Sequence, residues 1–175
     1  MSTMVKPPIT LLEVFQSLPE GTLVQLIQNV IVWSPSPADP HQEIVMNLGA
    51  DIHFLVKQHK LGKVRVAPSD VYINDKNVYQ PDIYFVSNSN TGVMKTTGFH
   101  GAPDLVVEIL SPSTAKYDLE DKKDVYEQFG VKEYIIINPA DKTVTAYELI
   151  NAVFTVYFTG IAQVESKLLG TEFEF

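Results

Sequence analysis

The stretch 101–139, GAPDLVVEILSPSTAKYDLEDKKDVYEQFGVKEYIIINP, constrains the fold more than any other part of the chain. It reads as strand, helix and strand, and two ionisable residues, Glu108 and Lys122, interrupt its apolar pattern where core residues are expected. Across residues 104–110, alternation places Asp104, Val106, Glu108 and Leu110 on one face and Leu105, Val107 and Ile109 on the other. Both faces are mostly apolar, as in a central strand covered on two sides. A carboxylate at position 108 therefore loses hydration, and it stays charged only against a cation, a metal or hydrogen bonds.

Residues 111–114 break the strand, and Asp118 is placed to cap a helix that runs to about Phe129, with Gly130 as its stop. Leu119, Val125, Tyr126 and Phe129 form its apolar stripe. Lys122 falls in the middle of that stripe and Lys123 nearer its edge. Residues 133–138 form a second buried strand, closed by Pro139. A right-handed βαβ crossover lays the helix on the sheet, so the central-strand Glu108 and the inward Lys122 meet.

The remaining segments extend this unit. Residues 9–18 predict a short helix with Thr10 as its cap, and residues 23–33 a strand or a hairpin about Gln28 and Asn29. Asp39, Pro40 and Gln42 carry cap, first-turn and capping-box signals for a helix reaching about Gln58, whose inward face begins at His41. Residues 63–67 and 70–73 read as strand pieces and residues 78–86 as one strand containing Asp82, with Pro81 at its start, an edge or a bulge. The polar run 87–100 reads as a mobile loop able to close over a substrate. Residues 143–149 and 153–158 predict an antiparallel hairpin, and 165–175 a last strand.

With 175 residues and 45% hydrophobic content the chain is expected to form a single domain over 1–175 with a substantial core. The absence of cysteine excludes disulfides, thiolate metal sites and a cysteine nucleophile. The amino end, MSTMVKPPIT, lacks the apolar core of a signal peptide, and no apolar run approaches the ~18 residues that span a bilayer. The expectation is a cytoplasmic protein without membrane association. A net charge of −8 argues against loose binding of nucleic acid. A polyanion must meet a local basic patch or a bound metal. Two patches qualify, Lys57, His59, Lys60, Lys63 and Arg65 in one segment and Lys116, Lys122, Lys123 and Lys132 in another, although surface lysines are ordinarily just solvated.

Phosphodiester hydrolysis with a hard cation needs carboxylate ligands and a positive group near the attacking water or the developing charge. Asp82, Glu108 and Lys122 supply that set. Asp104 is a further acid, but four residues along a strand is about 13 Å, too far to share one metal with Glu108 unless the strand bends. It reads as a strand-start or supporting acid. His41 and Tyr126 are secondary candidates, the one a packed or capping histidine otherwise, the other a core tyrosine with its hydroxyl at a polar neighbour. A structural Glu–Lys ion pair is the alternative to catalysis.

The sequence resembles the Uma-type endonuclease family, of the restriction-endonuclease-like PD-(D/E)xK superfamily. The matching features are Pro81-Asp82, the block from Pro103-Asp104 through Glu108 to Ser113-Thr114, then Asp118, Lys122, Tyr126, Gly130-Val131 and Glu133-Tyr134, with His41 upstream. The superfamily's acid-x-lysine tripeptide would place lysine where this chain has Leu110, and the lysine function is carried instead by Lys122. Ile135 and Asn138 depart from the family's usual Trp and Asp. The resemblance implies an α/β fold, a mixed central sheet flanked by helices with additional antiparallel strands. It also implies Mg²⁺, with Mn²⁺ as substitute, held by Asp82 and Glu108. The implied partner is nucleic acid, DNA before RNA or branched substrates, and related nucleases pair as homodimers. A catalytically inactive nucleic-acid-binding or assembly protein on the same fold is the competing expectation.

Overall fold

The computed structural model describes residues 9–175. Residues 1–8, most of the amino-terminal stretch read above for a leader, lie outside the described residues. Strands β3 (Gly62–Val66), β6 (Ile83–Ser87), β9 (Leu105–Ile109), β10 (Glu133–Ile137), β11 (Thr143–Ile150) and β12 (Val153–Ile161) form a mixed central sheet in the order β12-β11-β10-β9-β6-β3. Among the described residues of this sheet only β9 and β10 run parallel. They are joined through two short helices, α3 (Ala115–Leu119) and α4 (Asp121–Gln128). A second six-stranded sheet orders β2 (Val30–Trp33), β1 (Val24–Ile27), β5 (Asn77–Tyr79), β4 (Val71–Asn74), β8 (Gly98–His100) and β7 (Val93–Lys95). A hairpin of β13 (Gln163–Ser166) and β14 (Thr171–Glu174) completes the strands. Among the described residues no helix is long and apolar enough to cross a membrane.

Alternation along β9 separates two cores. Leu105, Val107 and Ile109 pack with Ile44, Leu48, Ile52 and Val56 of the long helix α2 (Asp39–Gln58). Val106 faces the other way, with Tyr84, Tyr134, and Val125 and Tyr126 of α4. Every residue of β9 and β10 is buried, which explains their unbroken apolar runs. Full burial of a side chain such as Leu48 contributes about 1.5–3 kcal/mol, enough that register slippage of the helix over the sheet is strongly disfavoured. Glu108 belongs to the Val106 face, under α4.

Several local readings hold. Helix α1 (Leu11–Ser17) starts at Thr10, whose hydroxyl accepts from the Glu13 amide while Glu13 accepts from the Thr10 amide. The β1–β2 hairpin turns at Gln28 and Asn29, both at positive φ, the backbone that two-residue hairpins require.

Others do not. Helix α2 is capped by Ala38 without a side-chain bond, so Asp39 is its first residue and favours the positive helix end by charge alone. Residues 78–86 are two strands in different sheets, because the chain leaves β5 at Gln80-Pro81 and enters β6 after Asp82. Residues 87–100 contain the β7–β8 hairpin, two three-residue strands of which β7 is the edge of the second sheet and β8 buries Phe99. Residues 165–175 hold a turn and parts of two strands. The helix predicted from Asp118 breaks at Glu120, where φ is −121° and ψ −85°. Asp118 does not cap it. The inward direction is taken by Asp118 and Lys122, and Leu119 and Phe129 are left 47% and 40% exposed.

Candidate active site

The carboxyl end of β9, the start of α2 and the α3–α4 pair enclose a cavity of about 440 Å³. Glu108 lines it from the sheet, only 2% exposed. Its Oε1 accepts from Lys122 Nζ at 3.1 Å and from the Tyr126 hydroxyl at 3.0 Å. Its Oε2 has no hydrogen-bond or ion-pair partner among the described residues. Burial pushes the Glu108 carboxyl up, to about 8. Lys122 opposes that rise, and the Asp118 and Asp82 carboxylates add to it.

Lys122 is equally buried, and its shortest contact is Asp118 Oδ1 at 2.7 Å, at an angle that makes an ion pair rather than a hydrogen bond. Burial by itself would lower the ammonium's pKa, but Asp118 and Glu108 outweigh it and raise it above the usual lysine range. Lys122 is therefore a fixed cation. Asp118 is held in turn by Thr114 Oγ1 at 3.3 Å, and its carbonyl accepts from the buried Tyr134 hydroxyl.

Asp82 lies just ahead of β6, beside β9 in the antiparallel pair. Its Oδ2 accepts from the Ile109 amide at 2.7 Å and lies 3.2 Å from His41 Nε2. Its Oδ1 has no partner among the described residues. His41 is buried at the start of α2 with Nδ1 unpaired. Burial would lower its pKa, but the hydrogen bond and charge of Asp82 raise it above the ordinary value.

Asp104 is not in this cavity. Its carboxylate accepts from the Ser87 amide and Asn90 Nδ2 and pairs with Lys132 at 2.7 Å, at the opposite end of β9. Tyr126 donates to Glu108 and stacks edge-on to Tyr79 in the core. The structure thus gathers His41, Asp82, Glu108, Lys122 and Tyr126 and leaves Asp104 apart. Asp118 joins them as a site residue that the cap reading obscured. Its position four before Lys122 is the spacing that brings two helical side chains together, and here it does so across the break at Glu120.

Three carboxyl groups, Asp82, Glu108 and Asp118, are set around one ammonium, and this crowding of acids helps to hold the Glu108 carboxyl up. Asp82 and Glu108 each commit one oxygen to protein partners and leave the other open. That donor set suits a hard divalent cation, which binds oxygen and often takes only one or two carboxylates, completing its shell with water and phosphate. Among the described residues no group of three or more His, Asp or Glu side chains is arranged to hold a metal. The fit therefore rests on two carboxylates alone.

The sequence model of the Uma2 family, described as "putative restriction endonuclease", matches residues 12–173. The chain belongs to the Uma2 family. Its fold is that of a solved structure titled as a putative nuclease of DUF820 from Anabaena variabilis. The two are 23% identical over 93% of this chain and 92% of that one, with a TM-score of 0.74. No curated protein matches the chain significantly. Within this Uma2 member Leu110, two residues after Glu108, lines the pocket without charge, and among the described residues the only lysine lining it is Lys122.

Proposed function

We propose that the chain is a divalent-metal-dependent endonuclease that hydrolyses phosphodiester bonds of nucleic acid, DNA in the first place, with Mg²⁺ as cofactor and Mn²⁺ as substitute. The observation that carries this reading is the pair of open oxygens, Asp82 Oδ1 and Glu108 Oε2, in a buried pocket that sets three carboxyl groups around one ammonium. Family membership supplies the reaction class.

Asp82 and Glu108 would hold the cation, which when bound polarises the scissile phosphate and neutralises its charge. His41 and the Ile109 amide fix one oxygen of Asp82, so that the other is presented to the ligand. Tyr126 and Lys122 do the same for Glu108. Lys122, steadied by Asp118, orients the attacking water or stabilises charge developing on the phosphate. Pairing of two copies across a duplex belongs to the same proposal.

Incubation of the purified protein with plasmid DNA and with DNA and RNA oligonucleotides, plus Mg²⁺ or Mn²⁺, tests it. Cleavage is expected to fall about 10²–10³-fold in Glu108→Gln and Lys122→Met. Cleavage that persists unchanged in both variants overturns the assignment. A second reading, a binding or assembly protein that keeps the fold, is favoured by the −8 charge and by Arg65 being the only arginine. It predicts no metal-dependent cleavage of any substrate.

A further inference from the structure

One basic segment is not consumed by the pocket. Between Asp51 and Asp70 the chain has no acidic residue, yet it carries Lys57, Lys60, Lys63 and Arg65, so the other nine of its 13 lysines and arginines face all 21 acids. The structure folds this segment into one surface. His53, Lys57, Lys60, Lys63 and Arg65 line a groove of about 420 Å³. All five are exposed. Among the described residues none of the four lysine and arginine side chains makes an ion pair. The second lysine group differs: Lys122 is buried between acids, Lys132 pairs with Asp104, and Lys123 lies over the Tyr147 ring.

The groove has a fixed floor. Asn88 donates from its side chain to the Lys60 carbonyl at 2.6 Å and from its amide to the Leu61 carbonyl at 2.9 Å. Gly62 lets β3 close on β6, since a Cβ there would fall 2.0 Å from the Val86 carbonyl oxygen. The cations are thereby carried on an ordered turn.

The groove also leads to the pocket. Strand β3 runs from Gly62 to Val66, and the next residues, Ala67 and Pro68, line the pocket, with the Ala67 amide bonded to the Asp82 carbonyl at 3.0 Å. Lys63, Arg65 and Ala67 share one face of the strand. At about 3.3 Å per residue, Arg65 stands roughly 7 Å and Lys63 roughly 13 Å from Ala67. That reach covers about four phosphates of one duplex strand at ~3.4 Å each.

We propose that the groove between the end of α2 and the start of β3 docks the sugar-phosphate backbone of nucleic acid and leads it along β3 to the pocket. The inference rests on the nuclease reading for the identity of the polyanion. It explains how a chain of charge −8 holds such a substrate, by one local field rather than by overall charge.

The test measures binding apart from cleavage. Fluorescein-labelled single- and double-stranded oligonucleotides are titrated with protein in EDTA, by anisotropy, over a range of salt. The variant is the triple Lys60→Glu/Lys63→Glu/Arg65→Glu, with circular dichroism and melting as checks, and Lys63→Gln/Arg65→Gln as a milder second variant. The triple variant is expected to bind at least tenfold more weakly. Its log K against log salt slope should be shallower by about 2–3, at ~0.7–0.9 per lost phosphate contact. Metal-dependent hydrolysis of bis(p-nitrophenyl) phosphate, which is too small to span the groove, should stay at the wild-type rate. Unchanged affinity and slope in both folded variants overturn the proposal, as does binding to anionic lipid vesicles in place of oligonucleotide. Failure of the small diester to react in the wild type counts against the nuclease reading alone, because backbone docking is read without turnover.

Discussion

The amide of Ile109 donates to Asp82 Oδ2 at 2.7 Å, tying the first acid of the pocket to the residue that follows the second. The bond joins two adjacent antiparallel strands, so the spacing of Asp82 and Glu108 is set by the sheet rather than by flexible side chains. Supporting geometry of this kind makes the behaviour of single substitutions predictable.

Lys122 and Glu108 should respond unequally to removal. Lys122→Met leaves three carboxylates around the pocket without their cation, and a buried pair broken in this way loses about 3–5 kcal/mol. Glu108→Gln leaves Lys122 still paired with Asp118 at 2.7 Å, so its loss should be smaller. Urea denaturation at pH 7 measures both.

Calorimetry with Mn²⁺ should detect one binding event that weakens at least tenfold in Asp82→Asn. His41→Gln, which loosens the hold on Asp82, should weaken it by about tenfold, in line with other residues that orient a metal ligand. Asp104→Asn should leave it unchanged, since Asp104 is engaged with Ser87, Asn90 and Lys132.

Asp104 carries an acid-stability prediction instead. Burial would raise its carboxyl, but the Lys132, Ser87 and Asn90 contacts prevail and hold it below the usual aspartate value. A depressed pKa contributes stability above the unfolded value of about 3.9, lost as pH falls through the folded one. Asp104→Asn should therefore cost about 2 kcal/mol at pH 7. The gap to wild type should narrow as pH drops below about 4, and denaturation followed at a series of pH values checks this.

Tyr126→Phe removes one hydrogen bond to Glu108 Oε1 while keeping the ring that packs on Tyr79. A loss of about 1 kcal/mol is expected, with cleavage reduced far less than in Glu108→Gln. Melting and a cleavage assay on the same preparation separate the two effects.

Period-two and helical patterns made β9, β10 and the long helix α2 legible, because burial on two faces or along one stripe leaves a regular record. They also exposed Glu108 and Lys122 as charges in apolar company. Three-residue strands set among Ser, Asn, Thr and Gly are too short to leave such a record, and β7 and β8 accordingly read as a loop. The division at Gln80-Pro81 was hidden because apolar residues continue on both sides of it while the chain changes sheet. Asp118 read as a cap because an aspartate before a helix ordinarily is one. The break at Glu120 and the burial of the Asp118 carboxylate reveal the partnership with Lys122 that the four-residue spacing allowed.

That break has a consequence for how the pocket can change. Asp82 and Glu108 are both anchored in one layer of the molecule, whereas the ammonium is delivered from another, on the short helix that follows Glu120. Repacking beneath Val125 would displace the cation and spare the acids, and a shift at the β6–β9 seam would do the reverse. Positive and negative halves of the centre are thus separately adjustable, without altering any side chain that reacts.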